Sequence, residues 1–195
     1  MRNLKFLVIT LGLALTLAAC GAPPKADIDA AKAALDSAVA AGAGEYAAPS
    51  LQAVNDAQAA LDAELKAQEG NWFKSYTKAK ELAAAVKTAG EKAAADAATA
   101  KETVKNETTT ALGEVKTLLT DTQALLAKAP KGKGSAADLE AMKTDLATAA
   151  TAITDAETAL GAGKFLDAKA KVESAKNAIN TVKTAIETAM AAKKK

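Results

Sequence analysis

The chain of 195 residues contains no histidine and a single cysteine, Cys20. Histidine is the most common general base and metal ligand in proteins, so the side chain most used for both kinds of chemistry is missing. One cysteine alone can form neither an internal disulfide nor a thiolate zinc cluster. No carboxylate pair lies in an apolar stretch that would raise a pKa, as a general acid requires. We therefore expect no catalytic residue, no metal site and no cofactor, and a protein that is not an enzyme.

Arginine is nearly absent, since Arg2 is the only one in the chain. Of the 25 basic residues, Arg2 and Lys5 lie within residues 1–19, which contain no acid. The rest of the chain therefore carries 23 basic and 23 acidic residues. Bidentate recognition of phosphate and guanine depends mainly on arginine, and a balanced chain has no excess charge to attract a phosphate backbone. Nucleic acid is not an expected partner.

Aromatic residues make up only 3% of the sequence, and alanine is the most common residue. Alanine has the highest helix propensity, and no segment shows the two-residue alternation of a half-buried strand. Apolar residues instead recur at spacings of three and four, which is the helical period. The sequence therefore predicts an all-α protein, and more closely an elongated antiparallel bundle of about five helices.

Glycine and proline mark the ends of these helices. The first helix is predicted from about Ala26 to Ala41, a loop at 45–49 precedes the second helix, and Gly70 ends that helix. The third helix is predicted to open at Trp72 and to change the phase of its apolar stripe at 105–110, either by a bend or as a continuous helix with a shifted register. The remaining predicted features are a break at 130–134, a fourth helix over 135–160 and a fifth over 165–189.

Gly70-Asn71-Trp72 and Gly163-Lys164-Phe165 each precede a long helical pattern, 93 residues apart. This repetition predicts two spectrin-like three-helix repeats that share the long third helix. We place the first repeat at 26–105 and the second at 106–192, followed by a basic tail at 193–195.

The amino-terminal segment has the order of a secretory signal: a basic start, an apolar run over 6–17, and small residues before Cys20. The run is shorter than the roughly 20 residues that a membrane span needs. One interpretation is an ordinary signal peptide with a cysteine near its end by chance. The other rests on the stretch Leu17-Ala18-Ala19-Cys20, which resembles the lipobox of bacterial lipoproteins.

The lipobox resemblance implies that residues 1–19 are removed, that the Cys20 sulfur receives a diacylglycerol, and that the new amino group is acylated. Residues 20–25 would then form a lipidated tether, with membrane lipid as the partner of Cys20. Gly21 follows the cysteine, and in enteric-type bacteria an aspartate at that place tends to hold lipoproteins in the inner membrane. The resemblance therefore implies an outer-membrane location, with the protein facing the periplasm.

Two further resemblances concern the helical part. The stretch Gly42-Ala43-Gly44-Glu45-Tyr46-Ala47-Ala48-Pro49-Ser50-Leu51 is similar to a turn in alanine-rich helical lipoproteins of unknown function. That likeness covers roughly 26–105, less well 135–192, and implies a role in the cell envelope, with an envelope protein as an expected partner. The lipobox, the helical seams and the terminal Lys195 resemble murein lipoproteins, whose last lysine is joined to peptidoglycan, so wall attachment through Lys195 is the alternative function.

Trp72, Phe73 and Tyr76 are the only local concentration of side chains typical of binding sites. They could contact a partner from an exposed face. The alternative interpretation is that they fill the widened end of a helical bundle where Gly70 turns the chain, and Phe165 at the matching place in the second repeat favours this alternative.

Overall fold

The structure, a computed structural model, describes residues 21–129 and 135–192, and the side chains of 135–137 are not described. These parts contain six α-helices and no β-strand, which confirms the all-α helical bundle. The helices are α1 (Lys25–Ala40), α2 (Ala43–Tyr46), α3 (Ala48–Glu69), α4 (Thr77–Ala127), α5 (Ser135–Gly161) and α6 (Phe165–Ala192). The lipobox residues 17–19, Cys20, the predicted break at 130–134 and the tail at 193–195 lie outside the described residues.

The sixth helix is the short α2, where the sequence had predicted a loop over 45–49. Gly42 begins it with a φ of 87°, a left-handed conformation that glycine adopts without steric cost. Its carbonyl oxygen then accepts hydrogen bonds from the backbone N–H groups of Glu45 and Tyr46, both at 3.0 Å. These local bonds close a helical turn that the periodicity of apolar residues does not reveal. Pro49, the last residue of the predicted loop, lies in the first turn of α3.

The chain divides into two compact units between Ala100 and Lys101, within α4, whereas the predicted boundary lay between residues 105 and 106. The first unit contains α1, α2, α3 and the beginning of α4. The second contains the remainder of α4 with α5 and α6. Helix α4 therefore supplies residues to both hydrophobic cores.

Small side chains dominate the core of the first unit. Its buried residues are Ala31, Ala38, Ala43, Ala47, Val54, Leu61, Tyr76, Ala79, Ala83, Val86, Ala93 and Ala97. Helices α1 and α4 approach each other so closely at one level that a Cβ on Gly90 would lie 2.7 Å from the backbone carbonyl carbon of Ala34. Glycine is thus required on α4 where α1 packs against it.

Larger aliphatic residues fill the core of the second unit. Its fully buried side chains include Leu146, Val172, Ile179 and Ile186. Only three residues, 162–164, join α5 to α6, and the N–H of Lys164 donates to the Ala159 carbonyl oxygen at 2.9 Å. Such a short turn between two packed helices makes an antiparallel hairpin, as the sequence predicted.

Helix α4 continues without interruption through the region 105–110. The buried stripe passes through Ala97, Thr108, Leu112 and Val115, so Thr108 occupies the core position at which the apolar phase shifts. Of the two predicted outcomes, the structure has the continuous helix with a shifted register.

Candidate functional site

The segment 70–76 between α3 and α4 carries the predicted aromatic cluster and divides it in two. Trp72 and Phe73 are 92% and 89% exposed, more than the other exposed large hydrophobic residues. Tyr76 is only 7% exposed and belongs to the core of the first unit. Two of the three aromatic side chains are thus presented to the outside and the third is part of the packing.

The prediction that Trp72 and Phe73 open the third helix is wrong, because α4 begins at Thr77. The interpretation that they fill the end of the bundle is also wrong for these two residues. The aromatic residue that packs at this end of the bundle is Tyr76. Its backbone carbonyl oxygen also accepts the first helical hydrogen bond of α4, from the N–H of Lys80 at 3.0 Å.

The side chain of Gln68 explains why the helix starts late. Its Oε1 accepts a hydrogen bond from the backbone N–H of Ser75 at 3.0 Å and one from Nδ2 of Asn71 at 3.3 Å. The N–H of Asn71 in turn donates to the Gln68 carbonyl oxygen at 3.2 Å. These bonds satisfy backbone and side-chain groups of segment 70–76 without a helix, so the chain around Trp72 and Phe73 is held in an irregular conformation.

A second set of contacts joins the two helices that flank this segment. Gln68 Nε2 donates to Glu64 Oε1 at 2.8 Å, and Lys78 Nζ lies 3.1 Å from Glu64 Oε2. The hydrogen bond from Gln68, followed by that from Lys78, lowers the pKa of the Glu64 carboxyl below its usual value. Glu64, Gln68 and Lys78 therefore form a polar clamp at the base of segment 70–76, and Gln68 links the clamp to the segment through Asn71 and Ser75.

Among its described residues, the second unit has no pair of adjacent exposed aromatic side chains like Trp72 and Phe73. Buried positions on α4 and α6 correspond at a spacing of 89 residues, as Ala79 with Ala168 and Val86 with Ala175, and not at the 93 residues read from the sequence. Seven residues, 70–76, connect α3 to α4, against three between α5 and α6. Phe165 is half-buried at the first position of α6. Trp72 and Phe73 thus lie in additional chain that only the first unit has.

One further pocket, of about 170 Å³, lies in the second unit between α4 and α6. Glu107 and Lys169 form an ion pair of 2.9 Å at its edge. The Thr108 hydroxyl is buried in the same place, and no hydrogen-bond partner for it is found among the described residues. The pocket is lined by the Thr108 hydroxyl, the Glu107–Lys169 ion pair and the Glu173 carboxylate. Of the residues that the structure describes, it holds no base beside the hydroxyl that would activate it as a nucleophile.

The other carboxylate with a shifted pKa is Asp96, and it too is part of the packing. Lys92 Nζ and the Ser50 hydroxyl each donate to its Oδ2 at 2.6 Å and lower the pKa of the carboxyl, with the bond from Lys92 as the largest cause. A lowered pKa keeps a carboxylate charged at neutral pH, which is the opposite of what a general acid needs. Within residues 21–129 and 135–192, no group of three or more acidic or cysteine side chains is arranged to hold a metal ion.

The predicted lipid-bearing residue Cys20 and the predicted wall-linking residue Lys195 both lie outside the described residues. The described chain begins at Gly21, next to Cys20. Pro24 is buried, and its carbonyl oxygen accepts the N–H of Ile28 at 3.0 Å as α1 begins. None of the helices that the structure describes is long and apolar enough to cross a membrane.

Comparison of the chain with protein-family models, with curated proteins and with solved structures finds no match.

Proposed function

We propose that this chain is a lipid-anchored, non-enzymatic helical protein of the bacterial envelope, held at the periplasmic face of the outer membrane through Cys20. There it would serve as a spacer or as a scaffold for other envelope proteins. The observation that carries the proposal is the order of the first 20 residues, a basic start, a short apolar run, and Leu17-Ala18-Ala19 directly before the only cysteine.

The first unit supports this assignment by where its folded part starts. Helix α1 begins at Lys25, and Pro24 is already buried. Only residues 21–23 therefore lie between the cysteine and the packed chain. A short tether of this kind keeps a helical unit close to the bilayer that holds the lipid. Three acyl chains on one residue would give a lasting anchor, since each buried CH₂ contributes about 0.8 kcal/mol.

The non-enzymatic part of the proposal is supported by the state of the acidic groups. The two carboxylates with shifted pKa values, Glu64 and Asp96, are both shifted downward by hydrogen bonds that join helices or neighbouring turns. Both are thus accounted for by the packing of the first unit.

Metabolic labelling with an alkyne fatty acid in a bacterial host tests the anchor. The wild-type chain is expected to take up the label and to fractionate with membranes. The variant Cys20→Ser is expected to lose both properties, because serine lacks the acceptor sulfur. Gly21→Ala leaves the cysteine in place and serves as the matched control. Absence of label on the wild-type chain would overturn the proposal.

A further inference from the structure

We infer that Trp72 and Phe73 insert into the interface of the bilayer that carries the Cys20 lipid, as a second membrane contact of the first unit. The inference rests on the proposed lipid anchor. It concerns a surface that the anchor alone does not explain, namely an aromatic pair about nine-tenths exposed in a protein with few aromatic residues.

Helices α1 and α4 start at the same end of the first unit. Lys78 pairs with Glu64 at 3.1 Å, and Ser50 bonds to Asp96 at 2.6 Å, so α3 and α4 run antiparallel. Helices α1 and α3 contribute to the same core and are joined by only seven residues, 41–47, which include α2. A connection of this length between two packed helices reverses the chain, so α1 and α3 also run antiparallel. It follows that α1 and α4 run parallel and start at the same end of the first unit. Segment 70–76 therefore lies at the end from which the chain continues toward Cys20.

The starts of α1 and α4 lie at different distances from the point where the two helices touch. Helices α1 and α4 touch where Ala34 meets Gly90. Lys25 precedes Ala34 by nine residues and Thr77 precedes Gly90 by thirteen. At 1.5 Å per residue, these helices extend about 14 Å and about 20 Å below the contact, respectively. The start of α4, where segment 70–76 joins it, therefore lies about 6 Å beyond the start of α1. This is the side on which a bilayer holding Cys20 would lie.

The tether between Cys20 and the first unit is short. Pro24 is buried in the first unit, and four residues of extended chain span at most about 14 Å. The acylated residue therefore cannot move far from the end of the unit that carries Trp72 and Phe73. The tether and segment 70–76 would meet the same membrane surface.

The chemistry of the segment suits the interface between acyl chains and headgroups. Tryptophan concentrates there because it has an apolar body and one polar N–H, and phenylalanine adds apolar area. Asn71 and Lys74 flank the pair and are exposed, so polar groups on both sides can stay in the headgroup layer. The clamp of Glu64, Gln68 and Lys78 holds the segment in place, which lowers the entropy lost when the aromatic side chains insert.

Trp72 is the only tryptophan in the chain, so its fluorescence reports the contact directly. The full-length protein is purified from membranes, its acylation is verified by mass, and it is reconstituted into phosphatidylcholine vesicles with brominated acyl chains. We expect the tryptophan emission to be shifted to shorter wavelength relative to that of the Cys20→Ser protein in buffer without detergent. We also expect the bromine atoms to quench this emission strongly. The double variant Trp72→Phe, Phe73→Trp moves the reporter by one residue and is expected to be quenched as well.

Val39 provides the matched control. It is 57% exposed and lies next to the last residue of α1, at the opposite end of the helix. In the double variant Trp72→Phe, Val39→Trp, the new tryptophan is expected to emit as in water and to escape quenching, and circular dichroism checks that the helices are retained. Equal quenching of the two reporters would contradict a specific contact.

The outcomes separate this inference from the anchor. If the protein is acylated and bound to vesicles but Trp72 remains unquenched, the membrane contact is overturned while the anchor stands, and the aromatic pair is left for a protein partner. If the protein carries no acyl group, the anchor fails and the inference fails with it. Acylation together with quenching of Trp72 supports both.

Discussion

Two threonines on α4 show how a single hydroxyl depends on its surroundings. Thr108 and Thr122 are each 1% exposed. The Thr122 hydroxyl donates to the Leu118 carbonyl oxygen at 2.7 Å, whereas the Thr108 hydroxyl finds no partner among the described residues. A buried polar group without a hydrogen bond costs about 1–3 kcal/mol, while a satisfied one contributes about 1 kcal/mol.

Replacing each threonine by valine, which has nearly the same shape, tests this difference. Thr108→Val is expected to raise the free energy of unfolding by about 1 kcal/mol, because it removes an unsatisfied hydroxyl. Thr122→Val is expected to leave it unchanged or to lower it by a similar amount. Urea unfolding followed by circular dichroism measures both. Equal effects of the two substitutions would show that the Thr108 hydroxyl is satisfied in solution.

The Glu64 carboxylate gives the clamp a dependence on pH. Its folded pKa lies below the ordinary value of 4.5, so the charged form is favoured by folding. A group of this kind contributes stability above its unfolded pKa and loses that contribution as the pH falls through the folded pKa. We expect Glu64→Gln to be less stable than the wild type at neutral pH and the two stabilities to converge as the pH falls below about 4.5.

Glu91→Gln is the matched control for the Glu64→Gln substitution. Glu91 is 63% exposed and pairs with Lys87 at 3.7 Å, which is typical of a surface ion pair that contributes little. At neutral pH, the unfolding free energy of Glu91→Gln is expected to lie close to that of the wild type. A Glu64→Gln profile parallel to the wild type at every pH would remove Glu64 from the clamp.

At the scale of helices, α4 contains two glycines in opposite surroundings. A Cβ on Gly90 would meet the Ala34 backbone at 2.7 Å, whereas a Cβ on Gly113 would meet nothing within 4 Å. Gly113→Ala is expected to stabilise the protein by up to about 1 kcal/mol through helix propensity. Gly90→Ala gains the same propensity but must push α1 away from α4, at a cost of about 1–3 kcal/mol or more.

Thermal unfolding of the two variants decides whether α1 packs as closely as described. A lower melting temperature for Gly90→Ala with a higher one for Gly113→Ala is the expected pair of results. Stabilisation by both substitutions would mean that α1 can shift away from α4 at no cost.

The helices could be predicted from the sequence because the apolar residues that recur at helical spacing are the same residues that are buried in the structure. Ile179 and Leu146 lie on predicted seams and are nearly inaccessible in the structure. Segment 70–76 could not be predicted in this way, since its conformation depends on Glu64, Gln68 and Lys78, polar residues that carry no periodic signal. Apolar Trp72 and Phe73 next to a helical pattern therefore gave the wrong start for α4. The position of that segment at the tether end follows only from the pairing of α3 with α4.

At the scale of the whole molecule, we propose one anchor, at Cys20, and expect Lys193–Lys195 to act only as charges that complement the negative end of a helix. Deleting these three lysines is expected to lower stability by at most about 1 kcal/mol. Sacculi boiled in detergent and digested with a muramidase should release no protein from either form. Retention of the intact chain on boiled sacculi, with loss of the shortened one, would establish wall attachment through Lys195 instead.

We propose above all that residues 1–19 are removed and that Cys20 carries lipid. The intact mass of the protein isolated from its native membrane tests it most directly. We expect the mass of residues 20–195 increased by a diacylglyceryl group and an additional acyl chain. A mass equal to the unmodified chain, with residues 1–19 either retained or removed, would contradict it.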